Sequence, residues 1–392
     1  MVELGEWTRA MRTGLGTDPA HGAVVPPIYL SSNYAFEAPG VPRAYDYSRS
    51  GNPTRDLLGE AVAQLEGGAG ATILASGLAA ITLIAEAYVP TGGLVVVQHD
   101  AYGGTWRLFQ MLADQGRFRM AFVDVNTADF TDALAAAPDL VWIETPSNPL
   151  LRITDIEAAS AASHAAGALV VVDNTFLCPL LQQPLALGAD LVIHSTTKFI
   201  NGHSDVVGGA VVASTPEQHQ KLQLWANALG LTGSALDSYL TLRGVRTLDA
   251  RLRVHDENTR ALVEVFDAHP AVTAVHYPGL PGHVGHEVAL RQQNGFGSLF
   301  SVDLGSWEAC SRFLDGLEVF HLAESLGGIE SLVCHPETMT HAGMTPQARL
   351  VAGITPGLLR FSVGLEARDD LVAVVTEALE RVLRLSSEPV TS

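Results

Sequence analysis

Lysine is the scarcest useful side chain in this 392-residue sequence: of 23 basic residues, only Lys198 and Lys221 are lysines. Cysteine is almost as rare. Cys178, Cys310 and Cys334 are an odd set without CxxC spacing, which argues against a disulfide framework or a zinc ribbon and fits a reducing cytoplasm. Positive charge is short overall, with a formal net charge of −19, so a nucleic-acid or anionic-lipid partner is not expected. No apolar run approaches the ~20 residues of a membrane span, and the first residues have neither the basic region nor the apolar core of a secretory signal. Several motifs are missing as well. There is no P-loop and no Gly-x-Ser-x-Gly elbow. Gly68-Ala69-Gly70 precedes an apolar run rather than following one, which counts against a nucleotide-binding dehydrogenase. His283 and His286 have metal-ligand spacing but no convincing third ligand, so they are read as loop and cap residues and no metal is expected.

What is present is a globular composition, 47% hydrophobic and 17% charged, long enough for two packed domains. Residues 1–55 have little periodicity but many prolines and aromatics, which suggests an arm packed on something else. From 56 to about 250, short apolar runs alternate with helical stretches. The strand candidates are 71–75, 94–97, 120–123, 140–144, 169–173, 191–194 and 209–213. That alternation predicts an α/β fold, with a mostly parallel seven-stranded sheet covered by helices and a ligand at the carboxyl ends of its strands. Residues 235–268 read as a long helical stretch broken near Gly244. Residues 251–392 read as a smaller α+β domain, with strands near 296–304 and 358–363 and a closing helix whose apolar stripe is core.

Four segments at strand ends carry candidate chemistry. Ser76-Gly77-Leu78 opens a helix, where free N–H groups favour an anion. Asp173 ends the run Val170-Val171-Val172 and is either a cap on the next turn or a partner for a protonated ring nitrogen. In His194-Ser195-Thr196-Thr197-Lys198, alternation puts the Ser195 and Thr197 hydroxyls on one side. Lys198 is either an ordinary strand-end lysine or a desolvated amine able to attack a carbonyl. Its proximity to Asp173, through successive strands, favours the second. Arg360, inside the apolar Leu358–Val363 run, is either surface-facing or a bidentate carboxylate binder. Lys221 lies on a polar helical face and reads as solvated.

Together these residues, with Asp46–Arg55 (DYSRSGNPTR), Tyr102-Gly103-Gly104-Thr105, Ser147-Asn148-Pro149, Asn201–Asp205 (NGHSD) and Ala323–Gly328 (AESLGG), give a chain that resembles the γ-family of fold-type I pyridoxal-phosphate enzymes of cysteine and methionine metabolism. The resemblance covers nearly the whole sequence. It implies a catalytic set of Lys198, which carries pyridoxal 5′-phosphate, Asp173 on the ring nitrogen, and Tyr102 stacked on the ring. It implies a phosphate site of Gly77, Leu78, Ser195 and Thr197, completed by Tyr47 and Arg49 of a neighbouring subunit. Substrate contacts would come from Asn148, Ser325 and Arg360 at the α-carboxylate, with Arg107, Glu324, Asp46 and Asn227 further out. A homotetramer built as a dimer of dimers with shared active sites is also implied, with amino acids as the small-molecule substrates.

The implied activity is γ-replacement in methionine biosynthesis, joining O-succinylhomoserine or O-acetylhomoserine to L-cysteine to give L-cystathionine. The alternative is γ-elimination of cystathionine to cysteine, 2-oxobutanoate and ammonia. Asp46, Trp225-Ala226-Asn227, Arg107 and Met339–Met344 resemble the replacing branch. Ser50 departs from it, standing where many of its bacterial members have a second arginine. A non-catalytic descendant is disfavoured because every expected chemical position is filled.

Overall fold

The computed structural model describes residues 4–387. All seven strand candidates form, as β1 (Gly70–Leu74), β2 (Leu94–Gln98), β3 (Arg119–Val123), β4 (Leu140–Glu144), β5 (Leu169–Asp173), β6 (Leu191–His194) and β7 (Gly209–Ala213). They make one sheet in the order β1-β7-β6-β5-β4-β2-β3. The β3-β2-β4-β5-β6 ladders are parallel, and β7 runs antiparallel to both β6 and β1. Alternate residues of the strands feed two separate cores. Val170, Val172 and Val192 pack on one face, and Val171, Leu191 and Ile193 on the other. Strands buried on both faces are continuously apolar, as the sequence pattern requires.

The first four helices are α1 (Glu6–Arg12), α2 (Pro53–Glu66), α3 (Gly77–Tyr88) and α4 (Gly103–Asp114). Helix α1 lies inside the arm, where no helix is evident from periodicity. Asn52 starts α2 by accepting bonds from the N–H groups of Thr54 and Arg55, and Pro53 occupies its first turn. Ser76 caps α3 through the N–H of Ala79. The helices Ala235–Val245 and Leu248–Ala268 follow one another, with the break after Val245.

The smaller sheet contains β8 (Ala274–His276), β9 (Leu299–Asp303), β10 (His321–Leu322), β11 (Leu332–Cys334) and β12 (Leu358–Ser362), in the order β10-β11-β12-β9-β8. Its core gathers Phe266, Phe300, Phe313 and Phe320 around Phe361. The closing helix, Arg368–Ser387, lays Leu371, Val375, Ala378, Leu379 and Val382 on that core.

Candidate active site

The carboxyl ends of β4, β5 and β6 open on one side of the large sheet, and a cavity of about 380 Å³ lies there. It is lined by Gly77, Leu78, Tyr102, Asn148, Asp173, Ser195, Thr197, Lys198, Glu324, Ser325 and Arg360. Arg107 sits near its rim and acts on the Tyr102 hydroxyl electrostatically.

Lys198 lies beyond the end of β6 rather than in it. The strand stops at His194, and the N–H of Lys198 donates to the Ser195 carbonyl in the following turn. Strand alternation therefore does not explain the placement of Ser195, Thr197 and Lys198; the turn does. Lys198 Nζ donates to Ser325 Oγ at 2.7 Å. Burial, and then the Arg360 guanidinium, push its ammonium down to about 8, with Glu324 opposing. A desolvated lysine is thereby readied as a nucleophile or base.

Asp173 caps the turn after β5, its Oδ1 accepting the N–H of Thr175 at 3.0 Å, and also lines the cavity. Burial raises its carboxyl, while the Thr175 hydrogen bonds oppose the shift. Thr175 in turn accepts the N–H of Ser195 through Oγ1 at 2.9 Å, tying the ends of β5 and β6 together.

Arg360 is buried, at 3% exposure, which excludes the surface-facing reading. Its Nη1 donates to Asn148 Oδ1 at 2.9 Å and its Nη2 to the Ser325 carbonyl at 3.0 Å. Its Nε is buried without a hydrogen-bond partner, a donor that an incoming carboxylate satisfies. Ser325, with φ +88°, occupies a left-handed conformation costly for a side-chain-bearing residue. That backbone aims its hydroxyl at Lys198 while its carbonyl holds Arg360.

A second cluster stands apart from this cavity. Arg49 Nε donates to Asn227 Oδ1 at 3.0 Å, and its guanidinium lies 5.6 Å from the Tyr47 ring centre. Asp46 accepts the Ser50 hydroxyl at 2.7 Å. Asp46, Tyr47 and Arg49 are exposed, and none of these residues lines the cavity of their own chain. His283 and His286 bond to the carbonyls of Leu151 and Pro278.

Among the polar residues of the cavity, Glu144 and Thr175 escaped sequence reasoning. Glu144 ends β4 as Asp173 ends β5, and the two are paired in register. A carboxylate closing a continuous apolar run was the signal, and it was available.

The model of the Cys/Met metabolism PLP-dependent enzyme family matches residues 7–380. The chain is 52% identical to cystathionine gamma-synthase of Escherichia coli (strain K12), over 93% of this chain and 95% of that protein. It is 43% identical to a cystathionine beta-lyase of Lactococcus lactis subsp. cremoris, over 95% of this chain and 98% of that one. A crystal structure of cystathionine gamma synthase from Xanthomonas oryzae pv. oryzae in complex with cystathionine superposes with a TM-score of 0.96 at 57% identity, covering 98% of this chain and all of the other.

The cavity fits pyridoxal phosphate on its own chemistry. It offers one depressed lysine, two carboxyl groups at neighbouring strand ends and an aromatic ring at its edge. Its anion cradle is the start of α3, whose first N–H groups have no carbonyl one turn back. A Cβ on Gly77 would sit 3.0 Å from that of Ser195, so glycine keeps the helix start and the Ser195 hydroxyl close together. The chain belongs to the family of Cys/Met metabolism PLP-dependent enzymes.

Proposed function

We propose that this chain carries out γ-replacement of the cystathionine gamma-synthase type, joining an O-acylhomoserine to L-cysteine to give L-cystathionine. The observation that carries the reading is the convergence of Lys198, Asp173 and Arg360 on one cavity, in a chain 52% identical to a cystathionine gamma-synthase. When bound, pyridoxal phosphate supplies the electron sink that makes the protons on Cα and Cβ removable and lets the γ-substituent leave. Lys198 would hold it and would also be placed to act as the base toward the α-proton. A lysine depressed to about 8 has a larger neutral fraction near neutral pH than an ordinary lysine, and only the neutral amine can take a proton. Asp173 would meet the ring nitrogen and Tyr102 the face of the ring. Gly77, Leu78, Ser195 and Thr197 hold the phosphate. Arg360 takes the substrate α-carboxylate, with Asn148 and Ser325 fixing the guanidinium.

Tyr47 and Arg49 serve a neighbouring subunit's phosphate site in this reading, within a homotetramer built as a dimer of dimers in the cytoplasm. The chain then divides into an arm (1–55), a cofactor domain (56–250) and a small domain (251–392). Asp46 and Asn227, grouped with Arg49, act on substrate from across the same boundary, and Glu324 borders the substrate beside Ser325.

Arg107 is the distal cation, near the rim beside Tyr102. Arg107→Ala should weaken use of O-succinylhomoserine by roughly tenfold to a hundredfold, the worth of a hydrogen bond to a charged group, and spare O-acetylhomoserine. Equal losses on both esters in kcat/KM would remove Arg107 from the substrate site. One observation favours a second reading, γ-elimination of cystathionine. Ser50 supplies no second cation and is bonded to Asp46 and to the Tyr47 carbonyl.

A further inference from the structure

Tyr102 is the residue that caps the start of α4, and nothing in that helix accepts its N–H. Its side chain makes no capping bond, and it accepts only the usual N–H of Trp106 through its carbonyl. In a capping box, the side chain three residues on reaches back to the N–H of the capping residue. That position here is Thr105, a buried threonine whose hydroxyl has no partner. The N–H of Tyr102 goes instead to another element of the fold, donating to Glu144 Oε2 at 2.6 Å.

Glu144 is itself tightly held. It is 4% exposed at the end of β4, and its N–H donates to Gln98 Oε1 at 3.2 Å. It pairs in register with Asp173 on β5, and both side chains line the cavity. One carboxyl group thus connects the strand end beside Asp173 to the backbone of the aromatic residue across the cavity. Close packing restricts the ring further, because a Cβ on Gly104 would lie 2.4 Å from Tyr102 Cε1. The ring lies in the space a side chain at position 104 would fill, so its placement follows the backbone at the start of α4.

We infer that Glu144 is a positioning residue for the reaction, acting through the Tyr102 backbone to set where that ring stands relative to Asp173. This rests on the reading that Tyr102 and Asp173 flank the cofactor. The bond needs an acceptor and not a charge. Burial, followed by the neighbouring Asp173, raises the Glu144 carboxyl well above its ordinary range, while the Tyr102 N–H opposes the shift. A neutral carboxylic acid accepts through one oxygen as readily as the proposal requires.

The experiment compares Glu144→Leu, Glu144→Gln and Tyr102→Ala with the double variant Glu144→Leu/Tyr102→Ala, all as cofactor-loaded enzyme. The readouts are kcat, KM, the affinity of the apo-chain for pyridoxal phosphate, and the visible circular dichroism of the bound cofactor. Glu144→Leu orphans a buried N–H and should lower kcat roughly tenfold or more, with a smaller visible dichroism and little change in KM. Glu144→Gln, which restores an acceptor, should recover most of both. In the Tyr102→Ala background, Glu144→Leu should add less than about threefold, because the two residues act as one unit. A glutamine variant as damaged as the leucine one, or a leucine effect undiminished without Tyr102, would overturn the proposal. If Tyr102→Ala itself leaves the dichroism unchanged, the placement of that ring against the cofactor fails first.

Discussion

Lys198 concentrates the chemistry of the molecule in a single titration. Burial and Arg360 lower its ammonium from 10.5 to about 8. Between those values the folded chain binds fewer protons at this site than the unfolded one. The stability contributed by this lysine therefore rises with pH through that window, and its full cost is felt below pH 8. The same shift makes the neutral amine available near neutrality. Capture of pyridoxal phosphate by the apo-chain should accelerate with pH to a midpoint near 8, followed by absorbance in stopped flow. Borohydride should then fix the label on Lys198. A midpoint near 10.5, or a label on Lys221, which packs 4.1 Å over the Tyr88 ring, would exclude the assignment. Lys198, Asp173 and Arg360 were legible in the sequence because each is a polar residue set in or beside an apolar run. Ser325 owes its geometry to a positive φ and to contacts more than a hundred residues apart, which no local pattern encodes.

Among elements, legibility followed the length of the apolar run: β11 is fully buried yet too short to stand out, while β3 is only partly buried yet reads as a run. The seven large-domain strands are apolar on both faces and stand out as runs, whereas β8, β10 and β11 span only two or three residues each, and β10 is exposed. Strand β12 shows how packing supports the site. Phe361 is fully buried, with the rings of Phe266 and Phe300 each 5.0 Å away, while its neighbour Arg360 reaches the cavity. Phe361→Ala should cost about 3–5 kcal/mol of stability, measured by denaturant unfolding of the small domain. It should also raise KM for the amino-acid substrate as Arg360 loses its support. A loss below about 1 kcal/mol would mean that the aromatic cluster does not carry this domain.

At the scale of the whole molecule, the unexplained feature is the arm. Val24 and Leu30 are 72% and 73% exposed, and Phe36, Val41 and Tyr47 are close to half exposed. That apolar surface is what the subunit contact proposed above would bury. The same segment presents Tyr47 and Arg49 without placing them in their own cavity. Mixing Arg49→Ala with Lys198→Ala chains should restore activity, since a hybrid pair contains one site with both residues intact. Verified hybrids that remain inactive would show that each site is built from a single chain.

The central claim is the reaction itself, and one product assay addresses it most directly. Purified wild-type enzyme is given O-succinylhomoserine or O-acetylhomoserine with cysteine and, separately, cystathionine alone, with products identified by mass. The account predicts cystathionine as the main product of at least one ester, with 2-oxobutanoate from cystathionine formed more slowly. Efficient cleavage of cystathionine with no synthesis from either ester would contradict it.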